Sequence, residues 1–389
     1  MLVPLGSMIP THFDTVCEIE ATDDGPTAAA GVPARWVVCL LADEHDRPVQ
    51  LLCVRNLRAF LRRRLAAGSQ NGVSRRVDYR QLIRRVYYRR VDSDLEADLA
   101  YLQAARFLFP GDFERLIGAG PAWFLHIDPD APHPRYTRTT DLSGRPGVLL
   151  GPLPDKSTAG RLIEKLEDWF DLCRYPRELA AAPHGNPCAY KEMGRCPAPC
   201  DGSIALDAYR QLVALSLQFL ADPATFLQSL EARMHQAAAE LRFETAQKIR
   251  QYIQSLSVLQ TGPWRYLRPL SEFRYISIQH GPTARTAKVF LLTPWGAHVL
   301  LGLRGEPGDF QEVARSVVSA ACQIQPGPAD AALVGLISRH LLSTRCEESF
   351  IPLEKFDAAA LKAGWLALGQ SRLSDAAPED GVIRQVTLP

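Results

Sequence analysis

The chain has 389 residues, 47% hydrophobic and 22% charged, and 44 Lys and Arg against 43 Asp and Glu give a net charge of +1. That size suits two or three domains with cores of their own and excludes global disorder, and the charge balance excludes a uniformly basic nucleic-acid coat. No apolar run approaches the roughly 18 residues of a spanning helix, and the first basic residue is Arg35, so no signal-peptide start is read; a soluble, cytoplasmic protein without membrane contact is expected.

Residues 1–34 are weakly patterned and read as a loose lead-in. Trp36 to Leu41 and Val49 to Val54 are apolar runs of strand length around a polar turn, which predicts a β-hairpin. Asn56 opens an Arg-rich helix with Leu57, Phe60, Leu61 and Leu65 on one face. A strand follows near Val86 to Val91, and Ser93 caps a helix with an acidic first turn that stops at Pro110-Gly111. Residues 207–258 are helical, 273–303 return to strand character, and helices are expected near 309–323, 329–343 and 356–367. From Ser374 the chain reads as a tail. The fold class is multidomain α/β.

Nine cysteines without an export signal are no disulfide framework. Cys173, Cys188, Cys196 and Cys200 cluster in a Pro-rich, irregular segment that cannot pack its own core. Four thiolates on bendable backbone can enclose one metal centre, either structural zinc or iron–sulfur. The wide gaps, unlike the paired knuckles of most zinc ribbons, lean toward iron–sulfur.

Between 227 and 256 apolar residues recur in steps of three and four: Leu227, Leu230, Met234, Ala237, Leu241, then Phe243, Ala246, Ile249 and Ile253. The phase breaks near Arg242, which predicts two antiparallel helices joined by a tight turn. Periodicity alone reads the pair as ordinary core.

The string from Cys188 to Cys200, Cys-Ala-Tyr-Lys-Glu-Met-Gly-Arg-Cys-Pro-Ala-Pro-Cys, resembles the cysteine segment of UvrC, the nuclease subunit of bacterial nucleotide-excision repair. Leu230 to Arg250 resembles the UVR motif, the hairpin through which UvrC and UvrB associate. Gly151-Pro152 and the helix after it resemble the end of the UvrC GIY-YIG domain. The resemblance implies a degenerate GIY-YIG-like domain over 35–172, a metal-binding segment over 173–206, a UVR-like helical region over 207–260 and a C-terminal α+β domain over 265–389. It implies an iron–sulfur cluster, of the 4Fe-4S type, on the four cysteines, with zinc as the alternative. It implies a UvrB-like partner held by Leu230, Met234, Leu241, Phe243, Glu244 and Arg250, and a role in DNA repair and the SOS response. Gln251 stands where the motif usually has Asp.

Aligning the family's nuclease signature on the hairpin puts its two tyrosines at Cys39 and Gln50, its arginine at Phe60 and its metal-binding glutamate at Tyr101. All four roles are expected to be lost; Arg58, Arg62 and Glu96 are the nearby substitutes. Beyond residue 303 no paired carboxylates stand on strands as an RNase H-like site needs, and no helix-hairpin-helix module is read. Residues 51–90 hold twelve arginines and one acid, Asp78. Arg55, Arg58, Arg62, Arg63, Arg64, Arg75, Arg76, Arg84 and Arg85 are therefore expected to contact DNA, with Tyr79, Tyr87 and Tyr88 interleaved. Two further readings stay open: an active endonuclease with a rebuilt site, and a metal-stabilised interaction protein unconnected to DNA.

Overall fold

The structure is a computed structural model and describes residues 12–19, 31–65, 82–118, 120–343, 350–371 and 382–387. In chain order, β1 (Thr15–Glu18), β2 (Val37–Ala42) and β3 (Pro48–Val54) precede α1 (Leu57–Leu65), β4 (Arg85–Arg90), α2 (Asp94–Leu108) and α3 (Phe113–Ile117). Then come β5 (Trp123–Ile127), β6 (Thr137–Thr139), β7 (Val148–Leu153) and α4 (Lys156–Trp169). Short helices α5 (Pro176–Ala180) and α6 (Ala189–Glu192) sit in the cysteine segment, ahead of α7 (Leu206–Ala221), α8 (Pro223–Ala239) and α9 (Phe243–Leu256). The C-terminal part holds β8 (Arg268–Pro269), β9 (Tyr275–His280), β10 (Thr286–Thr293), β11 (Gly296–Arg304), α10 (Phe310–Gln323), α11 (Ala331–Leu341), β12 (Phe350–Pro352), α12 (Ala358–Ser371) and β13 (Val382–Thr387).

Three sheets result, with strand orders β1-β4-β2-β3-β13, β6-β5-β7-β8 and β11-β10-β9-β12, and every pairing is antiparallel. The expected β2–β3 hairpin is present, with Cys39 opposite Leu52. β2 is buried at every position because helices cover both faces of its sheet. Val37, Cys39 and Leu41 join α1's Leu57, Phe60 and Leu61, while Val38, Leu40 and Ala42 face α2. The Asn56 side chain accepts the Ala59 N–H at 3.0 Å and starts α1 where the sequence places it.

Two expectations need correcting. Val382–Thr387, read as tail, is a strand paired along β3, so the end of the chain completes the first sheet. An open strand edge carries unpaired backbone groups, and distant chain can satisfy them. Residues 35–172, read as one unit, hold β2, β3 and β4 of the first sheet and β5, β6 and β7 of a second.

α2 joins the two ends of the molecule. Ser93 Oγ accepts the Glu96 N–H at 3.2 Å, and a Glu96 carboxylate oxygen accepts the Asp92 N–H at 2.9 Å, which fixes the first turn. Ala97, Ala100, Tyr101, Ala104 and Ala105 pack on the first sheet, while Leu95, Leu99 and Leu102 enter a core with Tyr275, Phe290, Val334, Ile337 and Leu341. Charges close the rim. The Lys288 ammonium lies 2.7 Å from Asp92 and 2.6 Å from Glu96. Arg339 and His340 meet Asp98 at 2.5 and 2.9 Å, and Arg106 gives Asp330 two bonds of 2.5 and 2.8 Å.

Leu102→Ala should cost about 2–4 kcal/mol in denaturant unfolding. Hydrogen exchange should then quicken in β2–β3 and β9–β10 together; loosening of only one sheet would show that α2 does not couple them. Burial raises the Asp330 carboxyl, but the Arg106 side chain and the Leu333 and Ala332 N–H groups outweigh it and hold it below the ordinary value. With its folded value depressed, its stabilisation is complete above about pH 4 and fades as pH falls through that lower value. Acid titration of stability should show this loss in the natural protein and not in Asp330→Asn.

Candidate metal segment and docking hairpin

The cysteine segment leaves α4 through Asp171, a left-handed residue with φ 53°, and is tied down by polar contacts. The Tyr209 hydroxyl accepts the Cys173 N–H and donates to the Pro134 carbonyl, both at 3.4 Å. Arg174 bonds Asp168, donates to the Arg195 carbonyl at 3.3 Å and stacks 4.0 Å from the Tyr190 ring centre. Gly185 donates to the Cys200 carbonyl at 2.8 Å; a β-carbon there would lie 2.6 Å from the Glu178 carbonyl oxygen, so only glycine fits.

Cys173, Cys196 and Cys200 are buried and Cys188 is half-buried at the start of α6. A hydrogen bond joins the Cys173 and Cys196 thiols. It raises Cys173, which burial raises further, and holds Cys196 below the ordinary thiol value. Cys200 lies within electrostatic reach of both, and burial raises it. The donor set of sulfurs suits a soft metal. Among the described residues, however, no three His, Cys, Asp or Glu side chains converge closely enough to hold an ion.

α8 and α9 form the expected antiparallel hairpin. Asp222 caps α8 by accepting the Thr225 N–H at 3.1 Å. At the tip, Arg242 N–H reaches the Ala237 carbonyl at 2.9 Å and Leu241 N–H reaches Ala238 at 3.0 Å, a Schellman turn with Leu241 left-handed at φ 59°. A branched residue in the place that favours glycine costs about 1 kcal/mol. The base of the hairpin is anchored: Leu227, Leu230 and Leu256 are buried beside α4 and α7, and the Tyr252 hydroxyl donates to the Trp169 carbonyl at 2.8 Å. The far half is not. Leu241 is 74% exposed and Phe243 64% exposed, and Glu244 and Arg250 are also exposed. Leu230 is therefore core rather than docking surface, because the base of α8 is where the hairpin meets its own domain. A groove of about 550 Å³ runs between the helices, with Met234, Ala238 and Ala246 among its walls. His235 and Gln251 also reach it, which the apolar periodicity could not reveal.

The four positions matched to nuclease roles form no site. Cys39, Gln50, Phe60 and Tyr101 are all buried. Cys39 and Phe60 lie in the core under α1, and Tyr101 in the core under α2, across the sheet. Burial raises the Cys39 thiol far above its ordinary value. Gln50 accepts from Arg64 at 3.4 Å. Among the substitutes, Glu96 is held by Lys288, and Arg58 donates to the Val32 carbonyl at 2.9 Å.

The arginines divide as well. Arg75, Arg76 and Arg80, with Tyr79, lie outside the described residues. Arg85 pairs with Asp46 at 2.6 Å and with Glu18, and Arg89 pairs with Asp14 at 3.1 Å. Counting charge along 51–90 misses those acids because β1 and the β2–β3 turn supply them. Arg55 stacks 4.7 Å from Trp36 and Arg84 donates to its neighbour's carbonyl. Arg62 and Arg63 are exposed on α1 and Arg64 is half-buried. Arg85 and Arg89 share a face with Tyr87, toward α2, while α1 lies on the other face. The described arginines thus form no single patch.

Residues 122–219 match the family model of the UvrC/Cho excinuclease middle domain, and residues 224–259 match that of the UvrB/uvrC motif. β5, β6, β7 and α4, Gly151-Pro152 included, lie inside the first match, as do all four clustered cysteines. Similar proteins are the UvrABC system protein C of Nitrobacter winogradskyi (28% identical over 245 residues, 62% of this chain and 34% of that protein), of Shewanella piezotolerans (31% over 125 residues, 32% and 20%) and of Helicobacter hepaticus (27% over 138 residues, 35% and 21%). The chain thus spans a fifth to a third of the length of these relatives. No solved structure matches. Among the described residues no helix is long and apolar enough to cross a membrane.

The exposure contrast gives a direct test. Phe243→Ala should leave unfolding stability within about 0.5 kcal/mol, whereas Leu230→Ala should lower it by about 2–4 kcal/mol. Equal losses would mean that the hairpin tip is packed in solution.

Proposed function

We propose that the protein is a UvrC-like component of nucleotide-excision repair that binds DNA, docks a UvrB-like hairpin through α8 and α9, and does not cut DNA. The observation that carries this reading is the far half of the UVR hairpin, where two large apolar side chains stand in solvent on a turn that disfavours one of them. Such residues do nothing for the isolated fold and are what a partner's apolar face would bury.

The absence of cutting rests on the packed positions Cys39, Gln50, Phe60 and Tyr101. Hydrolysis needs a metal-bound carboxylate and a positioned base in contact with water. DNA would be held by the exposed Arg62 and Arg63 on α1, with phosphate contacts giving affinity without sequence preference. Cys173, Cys188, Cys196 and Cys200, which as they stand do not converge on one point, would have to draw together to hold an iron–sulfur cluster, with zinc the alternative. When bound, such a centre supplies a covalent clamp on an irregular segment. The chain's own Tyr209, Gly185 and Arg174 already fix the backbone around three of the four sulfurs.

Supercoiled plasmid with magnesium or manganese should remain uncut while the protein binds it. Changing Arg62 and Arg63 to Glu should weaken binding and lower the salt slope by roughly 0.9 for each phosphate left without its arginine. Protein purified without oxygen should contain iron, and Cys196→Ser should lose it. Metal-dependent nicking that Glu96→Gln abolishes would overturn the silent reading, and salt-independent DNA binding would remove α1 as the interface.

A further inference from the structure

Backbone groups left unpaired at a sheet edge recruit another strand unless the edge is short, charged, bulged or broken by proline. Most edges of this molecule carry such a device. β1 is four residues long and ends on Glu18, and β6 is three residues long with Arg138 exposed at its centre. β8 has two residues and β12 three, and each ends on a proline. β11 is long, but its pairing breaks at Leu300, between Val299 and Leu301. β3 has none of these devices. From Gln50 to Val54 it carries no charge and no proline, pairs with β2 without a break and is buried throughout. Its outer edge is covered by β13, which pairs with no other strand among the described residues.

We propose that the outer edge of β3 is a strand-accepting site whose fitted occupant is the segment Val382–Thr387. In the isolated chain the occupant is its own β13; where chains are held together it is the same segment of a second copy. The site is separate from the α8–α9 hairpin and lies between two helices. Leu52 and Val54 belong to the core under α1, and Leu51 and Cys53 to the core under α2. Side chains of an incoming strand alternate between those two sides, which adds selection to the backbone ladder. The ladder already takes this sequence, with Arg384 opposite Cys53, Gln385 opposite Leu52, Val386 opposite Leu51 and Thr387 opposite Gln50. The segment itself, Val-Ile-Arg-Gln-Val-Thr, has strand-forming residues and no acid, glycine or proline. Residues 372–381 tether it to α12, and their sequence holds Ser374, Pro378, Gly381 and three acids but no apolar run. A short tether sets an effective concentration on the order of millimolar. An identical segment from a second copy makes the same ladder, so exchange costs little beyond the tether. The second copy therefore enters when the local concentration of chains approaches that of the tethered strand.

The test uses the full chain and a labelled peptide of residues 381–389. Changing Gln385→Pro and Val386→Pro together removes two neighbouring N–H groups, one of which faces β3 in an antiparallel ladder. That variant should bind the peptide about a hundredfold tighter than the natural chain, the lower end of the advantage a tether confers. Hydrogen exchange of Leu51 to Val54 should quicken in the variant and slow again with peptide, while β9 and β10 stay protected throughout. A peptide of the same residues in scrambled order should not restore protection. The natural chain held at about millimolar concentration should form dimers that the variant does not. Unchanged protection of β3 in the folded variant would overturn the site. Equal binding of the scrambled peptide would replace β13 as fitted occupant with any extended segment. A natural chain that stays monomeric would remove the second copy. Should the variant fail to fold, millimolar peptide should still enter the natural chain by displacing its strand, and no binding there would overturn the site.

Discussion

The architecture depends on one helix that is buried from two sides. α2 spans fifteen residues, and ten of them are buried. A helix in that position must present two apolar faces of different kinds. Its Ala-rich face lets the helix axis come close to the first sheet, where β2 and β4 already fill the space. Its Leu face reaches further, into the core shared with α11 and the third sheet. The charges at its edge then meet partners far away in sequence: Lys288, Arg339, His340 and Asp330. Partly buried pairs of this kind contribute modestly, but removing one partner strands the other charge. They fix which part of the C-terminal region faces α2.

That burial bears on chemistry. α2, where the resemblance placed a metal-binding position, presents Tyr101 to the core. Asp92 just before it and Glu96 and Asp98 on it are neutralised by cations of the C-terminal region, while Asp94 in its first turn is exposed. Among the described residues, α1 with its exposed Arg62 and Arg63 covers one face of the first sheet.

The middle of the molecule works in the opposite sense. The cysteine segment has little apolar side chain of its own, so hydrogen bonds from Tyr209, Arg174 and Gly185 hold its backbone in place. The hairpin is secured at its base by Leu227, Leu230, Leu256 and Tyr252. Beyond Ala237 its tip is exposed, with Leu241 and Phe243 uncovered by any of the described residues. Stability and exposure are thus separated along one element: the base contributes to folding, and the tip stands in solvent.

The sequence by itself determined what is local. The β2–β3 hairpin follows from two apolar runs around a turn, α1 from Asn56 and its four apolar positions, and α2 from Ser93. The α8–α9 break follows from the change of phase at Arg242. The apolar residues at the tip were legible for the same reason, since periods of two and of three to four residues reflect neighbours in the chain. Only the tertiary structure decided that β13 completes the first sheet, that Asp14, Glu18 and Asp46 meet Arg85 and Arg89, and that Cys39 and Tyr101 lie on opposite faces. It also decided that Leu230 is core while Phe243 is exposed, though both belong to the hairpin's apolar periodicity. Periodicity says which face of an element is apolar; what covers that face is set by segments tens or hundreds of residues away, whose approach leaves no mark on local spacing.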